Sequence, residues 1–259
     1  MRGKMDSDFI ALFANAAGRA SGVISRLLLL ALVFALGACA TPDHSLKHKN
    51  LGAGGTRELP KKVLFIAPDV RIKEISAGGM VEEVPEWTQQ SNSHVRSSFT
   101  SIARELELAV IAPPTLPAAN QEVVDQHIAL YDLVAGNAFH AVTHVDPAWT
   151  HKRQAFDYTL GPGLSFLGTD SGADAALFIV GADFVSTSGR KAAMVIGALF
   201  GVAIPMGFTY LTAGVVDLAS GDLLWLSYEI DPSTNLRESK EADNLMRKLF
   251  AKYPGAARK

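Results

Sequence analysis

The sequence predicts an α/β (α+β) domain built as a single mixed β-sheet with helices packed on it. Three observations predict it. Two apolar runs, residues 61–70 (KKVLFIAPDV) and 173–185 (ADAALFIVGADFV), have the composition of strands buried on both faces. Between them, apolar residues recur at helical spacing over 85–106 and again over 121–135. Beyond them, two strand-like segments, 209–218 and 222–230, are separated by Ala219-Ser220-Gly221, a hairpin signal.

Taken in order, residues 40–60 are polar and carry Gly52, Gly54 and Gly55. They read as a flexible tether with an extended reach on the order of 70 Å. The first strand ends, or lies at a sheet edge, at Pro68. Pro85 opens a helix, where its missing N–H costs nothing. Trp87, Val95, Phe99, Ile102 and Leu106 share one face of that helix. Residues 109–112 form a short apolar piece stopped by Pro113-Pro114. A second helix over 121–134 turns Val124, Ile128, Tyr131 and Ala135 inward. Residues 137–160 are irregular, and Gly161-Pro162-Gly163 breaks them before a short helix. In the hairpin, Leu224, Leu226, Tyr228 and Ile230 alternate on one face. Ser239 is placed to cap a last helix with Ala242, Leu245 and Leu249 inward. Arg247, Lys248 and Lys252 fall near that helix's C-terminus, where positive charge is favoured.

The amino terminus carries a different signal. Arg19 and Arg26 precede an uncharged apolar run, residues 27–35, and Leu36-Gly37-Ala38-Cys39 follows it. A positive flank, a short apolar segment and small residues at its end describe a secretory signal. The run is too short for a transmembrane helix, which needs roughly 20 apolar residues. Leu36-Gly37-Ala38-Cys39 resembles the bacterial lipobox, and Cys39 is the only cysteine of the chain. The resemblance implies that residues 1–38 are removed and that Cys39 is lipidated, with palmitate among the acyl chains. Each buried methylene contributes about 0.8 kcal/mol, so one chain binds marginally and several hold firmly. Ala40 follows the cysteine in place of the aspartate that often retains a lipoprotein at the inner membrane. The expected location is the outer membrane, with the domain facing the periplasm. The expected organisation is a signal peptide over 1–38, a lipidated tether over 39–60 and one domain over 61–259. Removing 1–38 takes four of 24 basic and two of 26 acidic residues. The slightly acidic remainder gives no reason to expect nucleic-acid binding.

Three segments together carry a family resemblance: VLFIAPDVRIKEISAGGMVEEVPEW (63–87), GADAALFIV (172–180) and VVDLASGDLLWL (215–226). They are similar to small envelope lipoproteins with a domain like the TolB amino-terminal domain. Those include the curli-secretion channel lipoproteins and the lipoprotein activators of penicillin-binding proteins. The motifs are structural and carry no catalytic residue. The resemblance implies a non-enzymatic component of an envelope assembly, binding a protein partner or its own copies. A membrane-penetrating channel subunit of the curli type is the first alternative. A hydrolase with an unrecognised site is the second.

Residues 192–216 hold no charged residue over 25 positions, within an apolar insert placed at 190–207. Ala193, Gly197 and Gly201 recur at four-residue spacing, a pattern that lets helices approach closely. Three readings stand open for a helix over 190–204: packing on the domain's own core, a contact between subunits, or insertion in a membrane.

Other constellations point to no chemistry. His140, His144, Asp146 and His151 have loose metal-ligand spacing, but the glutamate of a zinc-protease motif is missing. No metal or cofactor is expected. Asp170-Ser171-Gly172 has the residues of an aspartic-protease loop without the preceding apolar run. It reads better as a turn into the next strand. The charges of Asp69, Arg71, Lys73 and Glu74 read as a solvated sheet end, and Trp87 as core. No phosphate-binding glycine loop or nucleophile elbow is present.

Overall fold

The computed structural model describes residues 44–51, 58–143, 151–152 and 155–254. The signal segment and Cys39 lie outside the described residues. Within them the α/β expectation holds: one mixed, eight-stranded sheet carries helices on both faces.

The longest strand organises the sheet. β6 (Ala175–Ser186) pairs antiparallel with β7 (Thr209–Asp217), which pairs antiparallel with β8 (Leu223–Asp231). On its other side β6 takes two short parallel strands in succession, β2 (Lys62–Phe65) and then β3 (Asp69–Ile75). The single strand expected over 61–70 is therefore two. Phe65 stands opposite Leu177 and Asp69 opposite Val180. Three residues of one edge thus face two of the other, a bulge at the position of Pro68. The charge run is β3 itself, its charges alternating with buried Val70 and Ile72. A turn then leads into β4 (Val81–Glu83), antiparallel to β3. β5 (Ala109–Ile111) adds to β2 in parallel.

A second difference lies in the expected tether. Ser45–Lys47 forms β1, antiparallel to β8 and opposite Ser227, Leu226 and Trp225. Residues 45–47 of the expected tether therefore belong to the sheet. Polar composition hid this strand, whose stability comes from ladder bonds and from Leu46 against the core.

The two faces of β6 separate two cores, as period-two alternation requires. Ala175, Leu177 and Ile179 face one side with α1 (Pro85–Glu105) and α5 (Ser239–Phe250). Ala176, Phe178 and Val180 face the other, with α2 (Ala118–Thr143) and α3 (Ser165–Ser171). α1 turns Val95, Phe99 and Ile102 inward as the periodicity predicts, and α5 turns in Ala242, Leu245 and Leu249. Ser239 is the first helical residue and not the cap: Glu238 precedes it, with no side-chain cap bond. α2 runs nine residues past its expected end because Ala135, Ala138 and Ala141 continue the buried stripe.

The hairpin turn shows why its residues are these. Asp217 Oδ1 accepts from Ala219 N, Ser220 N and Ser220 Oγ, and Gly221 sits at φ 77°. A Cβ there would also collide with Gly161 O. Past the turn, Val215 pairs with Trp225 but Val216 pairs with Leu223, so Leu224 is the extra residue of a bulge. That bulge breaks the expected alternation. Leu224 joins the α1/α5 core, Leu226 joins the opposite one, and Ile230 is exposed.

Candidate functional site

The apolar insert does not do what its composition first suggests. α4 (Ser188–Leu199) follows β6 and buries none of its residues. The core-helix reading is therefore overturned. Val195, Ile196 and Leu199, at helical spacing, form an outward stripe, and Leu199 and Phe200 are each 80% exposed. No helix among the described residues is long and apolar enough to cross a membrane.

This lobe nonetheless has a defined shape. Thr187 Oγ1 accepts from Arg190 N at 3.1 Å and caps the helix. At the other end, Val202 N donates to Gly197 O and Gly201 N to Ala198 O, closing a Schellman motif. Arg190 Nη2 reaches Pro205 O at 2.9 Å, and Gly207 N reaches Ser186 Oγ at 3.2 Å. The three spaced small residues take different places. Ala193 is half-buried. A Cβ on Gly197 would meet Val202 O at 3.1 Å, so that glycine already packs on its own chain. Gly201, at φ 74°, ends the helix. The outward surface is the Val195–Ile196–Leu199 stripe, which the four-residue spacing of small residues did not mark.

Beside the lobe lies a groove of about 510 Å³ between α2 and the ends of β7 and β8. Leu133, Phe139, Phe208, Tyr228 and Ile230 give it apolar walls. Phe139 meets Tyr228 edge-on at 4.3 Å, and His44 stacks on Tyr228 at 4.9 Å. Two carboxyls line it, Asp132 and Glu229. Burial holds the Asp132 carboxyl above its ordinary range; Asp69 adds to this, and Arg71 and Lys73 oppose it. Burial likewise raises Glu229, against the pull of His44. Chemically the groove suits an apolar group bearing a hydrogen-bond donor or a positive charge.

Asp132 gives a pH test. An acid whose pKa rises on folding binds its proton more tightly folded than unfolded. Its contribution is fully present below the ordinary carboxylate pKa of about 4 and is lost as pH rises through the raised value. Asp132→Asn is expected to melt above the wild type at neutral pH. The difference should close on acidification, as read by circular dichroism melts across that range.

The remaining sequence candidates separate. His140 lies on the groove wall, and His144 and Asp146 fall outside the described residues. Among the described residues no group of three or more His, Cys, Asp or Glu side chains is placed to hold a metal ion. Ser171 Oγ donates to Leu167 O and accepts from Ala173 N, and Gly172 ends α3 at φ 65°. That segment is a helix stop leading toward β6. Trp87 is half-buried, with the Arg237 guanidinium 4.3 Å over its ring. Phe208 and Ile230 were missed as site residues, because their exposure follows from where β7 begins and β8 ends.

No protein-family model matches the chain, and no curated protein matches it in sequence. Among solved structures it is similar to the PelC dodecamer from Paraburkholderia phytofirmans, at 13% identity and a TM-score of 0.34. That alignment covers 83% of this chain and 96% of that one. It is similar also to a lipoprotein from Neisseria meningitidis, at 14% identity, 67% and 81% coverage and a TM-score of 0.27.

Proposed function

We propose that this protein is a non-enzymatic lipoprotein of the bacterial cell envelope. In this reading Cys39 carries the acyl chains, the domain faces the periplasm at the outer membrane, and its work is binding and assembly. The observation that carries the reading is Leu36-Gly37-Ala38-Cys39, a lipobox-like stretch ending six residues before the first strand. The groove between α2 and the β7–β8 ends is the place for a partner's apolar group. The resemblance to TolB-like envelope lipoproteins belongs to this proposal, and the mixed sheet with helices on both faces is compatible with it.

Cys39→Ser tests the anchor, because serine offers no thiol to acylate. Incorporation of labelled palmitate is expected to fall to background, and the chain should keep residues 1–38 or leave the membrane fraction. Unchanged labelling in the variant would sink the reading.

A further inference from the structure

We propose that the α4 lobe is a membrane-seating surface, lying in the headgroup region of the bilayer that holds the anchor. The inference deepens the lipoprotein reading and rests on it for orientation.

Strand directions bring His44, the first described residue, and the lobe to one end of the sheet. β1 is antiparallel to β8, with Ser45 opposite Ser227, so the chain before Ser45 runs toward the C-terminal end of β8. His44 already follows that course, its carbonyl accepting from Tyr228 N at 3.1 Å. The C-terminal end of β8 pairs with the start of β7, Thr209 opposite Asp231. The start of β7 pairs with the last third of β6, Asp183 opposite Thr209, and α4 springs from the end of β6. Cys39 stands six positions before Ser45. An extended chain of that length spans only about 20 Å. A lipid on Cys39 therefore keeps this end of the sheet near the bilayer.

The surface at that end has the chemistry of an interfacial element. Leu199, Phe200, Val202 and Met206 are exposed on the lobe. The β3–β4 turn reaches the same end, since Ile75 pairs with Ser186, and it adds exposed Met80. Gly79 brings that turn against the lobe: a Cβ there would meet Arg190 Nη1 at 3.6 Å. Over residues 188–208 the only charges are Arg190 and Lys191, both positive, which favours an anionic lipid surface. The twelve-residue helix is about 18 Å long, too short to span the roughly 30 Å hydrocarbon core. It suits an orientation in the plane of the interface.

The test uses vesicles of phosphatidylethanolamine and phosphatidylglycerol. In the lipidated chain Cys39 is blocked, so Phe200→Cys offers the sole free thiol for an environment-sensitive fluorophore. Lys240→Cys, exposed on α5, serves as the distant control. Emission from the Phe200→Cys label is expected to shift to the blue on vesicles, while the control label stays water-like. In parallel, a chain starting at residue 39 with Cys39→Ser should still float with vesicles. Leu199→Glu/Phe200→Glu should cut that flotation at least tenfold without moving the melting temperature. A water-like label on vesicle-bound protein overturns the proposal. So does a blue shift without vesicles in a species with the mass of two or more copies, which would assign the surface to self-association. Failure of the lipoprotein reading shows separately, as fluorophore attached to Cys39 of the processed wild type. Flotation of the Cys39→Ser chain then decides the surface by itself.

Discussion

Ala176→Asp is expected to abolish stable folding. Ala176 is fully buried in the middle of the sheet, between Leu64 on β2 and Val216 on β7. Its side chain faces the α2/α3 core with Leu64, Phe178 and Val216. None of these offers a hydrogen bond or a positive charge. An unpaired carboxylate there costs several kcal/mol even when it takes up a proton. The added volume costs about 1–3 kcal/mol more in a packed core. A domain of this kind has only about 5–15 kcal/mol in total, so the sum removes most of it. The variant should appear in the insoluble fraction or show no cooperative melt by circular dichroism. A soluble variant with wild-type melting would remove Ala176 from the core and overturn the sheet order on both sides of it.

The central architecture was legible because it is written in periodicity. Val95, Phe99 and Ile102 on α1, and Ala242, Leu245 and Leu249 on α5, recur at helical spacing and are buried. The unbroken apolar run of β6 reads as a strand covered on both faces, and both faces are covered. What sequence could not show were features that depend on pairing. β1 is polar and three residues long, and it exists because β8 presents an open edge. The bulges at Pro68 and Leu224 each shift a strand by one residue, which turns every later side chain to the other face. The candidate site was half legible. A long uncharged stretch marks an unusual segment, but composition alone does not say whether an apolar helix faces a core or the outside. Here Gly197 packs against the lobe's own chain, Ala193 is half-buried, and Val195, Ile196 and Leu199 turn out. The groove needed α2, β7 and β8 together, and no local pattern announces such a meeting.

Trp225→Ala is expected to destabilise the domain by about 3–5 kcal/mol, the range for removing a buried large aromatic side chain. Trp225 is the largest fully buried side chain among the described residues, set in β8 beneath α5. Its ring lies 5.5 Å from Phe250 and 4.9 Å from Tyr253, so truncation leaves a cavity that the end of α5 must collapse to fill. The indole also holds β1: Nε1 donates to Ser45 Oγ at 2.9 Å. Two further variants divide the effect. Ser45→Ala removes the acceptor and keeps the ring, and should cost about 1 kcal/mol. Trp225→Phe keeps most of the packing and loses the donor, and should fall between the two. Denaturant melts of the three variants supply the measurement. If Ser45→Ala costs as much as Trp225→Ala, the hydrogen bond and not the packing dominates, and β1 would be the element that holds β8 in place. If Trp225→Ala melts like the wild type, the α5 layer does not rest on β8 as described. With packing dominant, β1 remains a modest contribution at the sheet edge. A pull on the chain before Ser45 would then strip β1 from β8 before it disturbed the core.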